Sequence, residues 1–171
     1  MNEKSLRFAL KHLCYAVSML VLFTLQTTPG LFELWGVKPI LVVPFAVCIA
    51  ALEGEFIGRL YGALAGLLCD LAGSWVFGFH AILCLCCNVA VGLAAIYLVR
   101  RSLGSVMLLS LGVLLLTQLL GYFFHYAIWG YEGVSLILWR HTLPAIAYSV
   151  LATLPLYYYT AWLEAKFPQQ D

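Results

Sequence analysis

Few side chains in this sequence are equipped for chemistry, and most of those lie inside apolar runs. Asp70 is the most demanding, because an ionised carboxylate at the centre of a membrane helix costs about 2.5–3.5 kcal/mol on insertion scales and less toward an interface. It is either a structural acceptor for groups of the turn Gly73-Ser74-Trp75-Val76-Phe77-Gly78 or a binding or proton-handling carboxylate facing a cavity. One acid with no obvious intramembrane base is poor equipment for a relay, which favours the structural role. His80 and His125 fall at helix ends on one side, as hydrogen-bonded structure or as a pH-sensitive pair. The thiols of Cys84-Leu85-Cys86-Cys87 invite a soft-metal reading, but helical spacing fans them around the axis, so cysteine reads here as a small apolar residue. Gln26 is a further polar group inside a span, and the amides Asn88 and Gln118 can each bridge helices, at about 0.6 kcal/mol on average. Glu53-Gly54-Glu55 and Arg59 make a charged hairpin in which Glu55 and Arg59 stand at i and i+4. It is either a solvated helix start or a docking point for a partner.

The elements that must position these groups begin with a glycine stripe. Gly54, Gly58, Gly62, Gly66 and then Asp70 recur every four residues, so each step drifts about 40° around a helix and bares one strip of backbone. Small-xxx-small spacing lets a second helix approach closely, and in lipid such packing replaces the hydrophobic drive. The stripe is therefore a seam, for a helix of this chain or of a partner.

Composition fixes the solvent. Of 171 residues, 64% are apolar or aromatic and 10% charged, too little charge to cover a water-soluble domain and too much apolar content for disorder. A net charge of +1 leaves no electrostatic case for nucleic acid. At roughly 20 residues per crossing, the chain is read as a single integral membrane domain over 1–171, an all-α bundle of six transmembrane helices with spans near 7–28, 36–55, 56–74, 81–99, 106–126 and 143–162. The first run follows Lys4, Arg7 and Lys11 as a signal peptide would, but no small-x-small site follows it, so it is read as a retained helix. The second run is short; Pro44 is expected to kink it, and it could instead be half of a re-entrant hairpin covered by protein. The segment from Ala127 to Arg140, with Trp129, Tyr131 and Trp139, suits an interfacial position. With both termini inside, Lys4, Arg7, Lys11, Arg59, Arg100, Arg101 and Lys166 are cytoplasmic and only Lys38 and Arg140 are outside, as the positive-inside rule asks.

No Gly-x-Ser-x-Gly, His-Glu-x-x-His or phosphate-binding loop occurs, and only two aspartates are present. The expectation is a protein that is not an enzyme and uses no cofactor or metal. Nor does any span carry the polar or charged ring of a channel.

Gly66-Leu67-Leu68-Cys69-Asp70-Leu71, then Gly73-Ser74 and Phe77-Gly78-Phe79-His80-Ala81, resembles the rod shape-determining protein MreD family. Lys38-Pro39 and Glu53-Gly54 fit the same pattern. The motif covers Pro39 to about Asn88, and the rest of the chain agrees by hydropathy. The resemblance implies a bacterial inner-membrane scaffold of the elongation complex that helps maintain cell shape, linking MreC, MreB filaments, RodA and a class B penicillin-binding transpeptidase, with no catalytic residues. It also implies a fold similar to the substrate-binding subunit of energy-coupling-factor vitamin transporters. The runner-up function is therefore a binding subunit for a vitamin-like molecule. Against it, Ala9 and Ala16 are seven apart rather than in Ala-x-x-x-Ala spacing, and few polar groups converge on the outer side.

Overall fold

The computed structural model describes residues 3–28, 30, 37–73, 77–98, 102–124 and 142–167. They form six helices: α1 (Glu3–Thr27), α2 (Val42–Glu53), α3 (Glu55–Leu71), α4 (Phe79–Tyr97), α5 (Leu103–Tyr122) and α6 (Leu143–Lys166), with no strand element among the described residues. His125, the segment from Ala127 to Arg140, Ser74, Arg100 and Arg101 lie outside the described residues.

The helices alternate in direction. Near the end of α1, Gln26 Oε1 accepts from the amides of Leu41 (2.8 Å) and Val42 (3.3 Å) where α2 begins, while Tyr15 toward the start of α1 donates to Glu53 at the end of α2. Gly66 near the end of α3 lies against His80 and Ala81 at the start of α4, and Gly92 of α4 lies against Glu55 at the start of α3. Near its own start α6 meets the start of α2, where Ile40 N donates to Ser149 Oγ (2.7 Å). One end of the bundle therefore carries Lys11, Glu53 and Glu55, and the other carries Gln26, Asp70 and His80.

The centre is α2. All residues from Val42 to Leu52 are buried, and α3, α4, α5 and α6 pack around the helix with α1 alongside. A helix apolar on all sides needs such a position. At 12 residues it is only about 18 Å long, shorter than the 36–55 span expected, because residues 37–41 are not helical. Pro44 does not kink it: it stands in the first turn, where the missing N–H has no intrahelical acceptor to lose. The interior proline is Pro155 of α6.

Polarity runs opposite to that of a water-soluble fold. Ser110, Ser149, Thr153, Thr160 and Asn88 are fully buried, whereas Leu13, Phe56, Ile82, Leu108 and Leu151 are more than half exposed. The buried hydroxyls bond inward, as between Ser110 and Thr153 (3.0 Å) across α5 and α6, or Thr160 to the Leu156 carbonyl (2.9 Å). Residues 6–27 of α1, all of α4 and all of α5 are long and apolar enough to cross a membrane. Such a surface identifies lipid as the solvent of the outer faces, and the chain as an all-helical membrane protein.

Candidate functional site

The α3–α4 pair is built on the glycine stripe. A Cβ at Gly58 would lie 2.5 Å from Ala50 Cβ, one at Gly62 2.7 Å from Asn88 Cβ and Nδ2, and one at Gly66 2.5 Å from Ala81 Cα. Gly58, Gly62 and Gly66 are therefore filled against α2 and α4 of the same chain. A partner helix has no place on that strip. Gly54 serves differently: its φ of +91° with ψ of −177° makes the one-residue turn between α2 and α3, a region open essentially to glycine.

Asp70 is the penultimate residue of α3, closer to the helix end than the 56–74 span implies. Its side chain closes the turn into α4. Oδ2 accepts from the amides of Gly78 (2.8 Å) and Ala81 (3.2 Å), and Oδ1 from the His80 amide (3.2 Å), so the carboxylate caps the α4 N-terminus, where orphan N–H groups and the helix dipole favour an anion. His80 Nδ1 lies 2.9 Å from Oδ1, supplying the basic neighbour that the sequence did not reveal. Gly78, at φ +94°, sets the approach of the turn.

At the opposite end Glu53 is withdrawn from solvent rather than solvated: its side chain and that of Lys11 are each 2% exposed, and the two form an ion pair. Tyr15 Oη donates to the same carboxylate at 2.9 Å. Beside them His12 stacks on Tyr61, with ring centroids 5.9 Å apart, and His12 Nδ1 lies 3.0 Å from Tyr61 Oη. Lys11 and Tyr15 together hold the carboxylate against α1. Glu55 and Arg59 are exposed and are not ion-paired with each other; the Arg59 guanidinium sits 4.1 Å over the Phe56 ring. Of the charged hairpin, then, only Glu55 and Arg59 fit the exposed reading.

Neither amide bridges helices. Asn88 Nδ2 donates to Cys84 O of its own helix (2.8 Å), and its buried Oδ1 has no partner among the described residues. Gln118 lines a cavity of about 240 Å³ together with Gln26, Ile40, Val43, Cys69, His80 and Thr117 at the Asp70 end. Side chains far apart in sequence thus meet at that end of the bundle. The cysteines separate as helical spacing requires, Cys84 and Cys87 inward and Cys86 outward. No group of three or more metal-ligating side chains occurs among the described residues.

Comparison with protein-family models, with curated proteins and with solved structures finds no match for this chain.

Sequence reasoning passed over Lys11 and Tyr15. Lys11 counted only as a cytoplasmic charge, although its place within the first apolar run, four residues before a tyrosine, already calls for an acid on a neighbouring helix. Thr117 and Gln26 carried no periodic signal at all.

Proposed function

We propose that the chain is a multi-pass protein of the bacterial inner membrane, with six crossings and both ends cytoplasmic, and that it acts as a non-catalytic scaffold of the elongation complex. In this role it holds MreC and, directly or through it, MreB filaments, RodA and a class B penicillin-binding transpeptidase. The observation that carries the reading is how the ionisable side chains inside the bundle are engaged: Asp70 caps α4, and Lys11 and Glu53 hold each other. What faces outward is apolar helix surface, suited to lipid and to single-pass partners. The residues behind the resemblance also work as one unit, Gly66 admitting α4 and Asp70 fastening it. Because the glycine strip is filled from within, partners bind the outer faces.

Six crossings agree with the alternating helix directions. They also agree with length: α2 supplies about 18 Å, and residues 37–40, at up to about 3.3 Å each, bring the path to about 31 Å against a 30 Å hydrocarbon core.

A second reading, a small-molecule binding subunit worked by a separate ATPase-driven module, is favoured by the cavity at the Asp70 end. One experiment separates the two. Gentle purification from membranes followed by mass spectrometry of what accompanies the protein yields MreC and a transpeptidase for the scaffold. An ATPase module instead would overturn the scaffold in favour of the subunit, and neither class of companion would remove both.

A further inference from the structure

The cavity at the Asp70 end is assembled from five places in the chain: Gln26 of α1, Ile40 and Val43 around the start of α2, Cys69 with Ala72 and Gly73 at the end of α3, His80 of α4, and Thr117 and Gln118 of α5. Its 240 Å³ is room for about eight waters at 30 Å³ apiece. The hydrogen-bonding state of the wall is unusual for the interior of a membrane bundle. Gln118 is only partly exposed, yet its amide makes no hydrogen bond among the described residues. Gln26 uses Oε1 to hold the start of α2, which leaves its two amide N–H donors unengaged among the described residues. Thr117 donates to Val113 O (2.8 Å) and keeps acceptor capacity on its oxygen. These amides are not sealed in the interior but present unengaged hydrogen-bonding groups to the cavity, where a ligand can meet them.

We infer that this cavity is a binding site for a small uncharged molecule with both hydrogen-bond donors and acceptors, about the size of a single-ring nitrogen heterocycle. Gln118 offers a donor and an acceptor side by side, Gln26 offers donors, Thr117 offers an acceptor, and Ile40, Val43 and Cys69 supply apolar walls for a ring. A few placed polar groups in an open, largely apolar pocket are what orient a small ligand. A charged ligand is disfavoured because Asp70, beside the cavity, already accepts from three backbone amides and lies against His80, and among the described residues no Lys, Arg, Asp or Glu lines the space. The inference deepens the second reading but stands on the cavity; it is tested by direct binding, whereas both functional readings are tested by co-purified partners, so the failures are distinguishable.

The probes are nicotinamide and uracil, both uncharged, with nicotinate as the charged counterpart of equal size. Full-length protein in lipid nanodiscs is titrated with each while ligand NMR signals are followed. Saturable binding of at least one uncharged probe at or below about 1 mM is expected, with nicotinate at least tenfold weaker, a difference of about 1.4 kcal/mol. Gln118→Leu is expected to weaken binding about tenfold and Arg59→Gln, at the other end, to leave it unchanged. Since Gln118→Leu tests only a folded variant, the titration of the unaltered chain carries the test by itself, with unlabelled nicotinamide or uracil expected to displace the other from the saturable site. Absence of saturable binding by both uncharged probes would show that the cavity holds water only, and equal binding of nicotinate would overturn the preference for an uncharged ligand.

Discussion

Gly66→Ala tests how the α3–α4 seam is coupled to the Asp70 cap. The added methyl would fall on the carbonyl oxygen of His80 and 2.5 Å from Ala81 Cα, both backbone atoms with no side-chain freedom to yield. Carbon–carbon contacts settle near 3.5–4.0 Å, so the start of α4 must retreat by about 1 Å. Asp70 stands one turn further along α3, and its bonds to the His80 and Ala81 amides are already 3.2 Å long. A retreat of that size takes both beyond hydrogen-bonding distance. Overpacking costs about 1–3 kcal/mol, and each of the two lost bonds to a charged acceptor about 1.5–3 kcal/mol, so the variant is expected to lose at least about 4 kcal/mol, roughly a thousandfold in the folding equilibrium. The assay is equilibrium unfolding in mixed micelles titrated with dodecyl sulfate, followed by far-ultraviolet circular dichroism. Gly112→Ala is the matched control: it lies inside α5 with nothing within 4 Å of its would-be Cβ, and the better helix propensity of alanine is expected to stabilise it by up to about 1 kcal/mol. Equal stability of the two variants would refute the coupling.

Other expectations follow from the same contacts. Lys11→Met leaves the Glu53 carboxylate buried without its cation and is expected to cost about 3–5 kcal/mol, whereas adding Glu53→Gln should recover part of the loss; additive effects in the double-mutant cycle would show that the pair is not coupled. Asp70→Asn should be destabilised by about 2 kcal/mol in a thermal melt. Both carboxylate oxygens accept from N–H donors, so whichever way the amide turns, its NH2 group faces a donor; wild-type stability would rule out the cap. Gly54→Ala meets only Ile96 Cδ1 at 3.9 Å, so any loss, expected at about 1–3 kcal/mol, reports backbone strain at the turn.

Much of the fold was legible because lipid demands long apolar helices and the turns carry recognisable punctuation. The ends of α1, α3 and α4 fall within a few residues of their expected positions for that reason. The short α2 misled, since an apolar run says nothing about whether lipid or protein surrounds it, and Pro44 reads alike as a kink or as a first-turn residue. Asp70 could be recognised as demanding, but not its acceptor geometry, which depends on how Gly78 turns the chain back. The stripe at Gly58, Gly62 and Gly66 announced a close approach without naming the helix that makes it. The buried Lys11–Glu53 pair and the cavity wall were hidden more deeply. Both arise where separate helices converge, and no local pattern records that convergence.

The enclosed position of α2 has a consequence for how the protein is made. The amides at its start and just before it are held from two distant parts of the chain, Leu41 and Val42 by Gln26 of α1 and Ile40 by Ser149 of α6. During synthesis α1 is available early, but the hydroxyl that receives the Ile40 amide, and one whole side of the enclosure, arrive only with the last helix. The second helix to emerge from the ribosome is thus completed by the final one. Until then, it must wait beside lipid or chaperone with an exposed backbone donor, which makes assembly of this small bundle a closing step rather than a sequence of independent insertions.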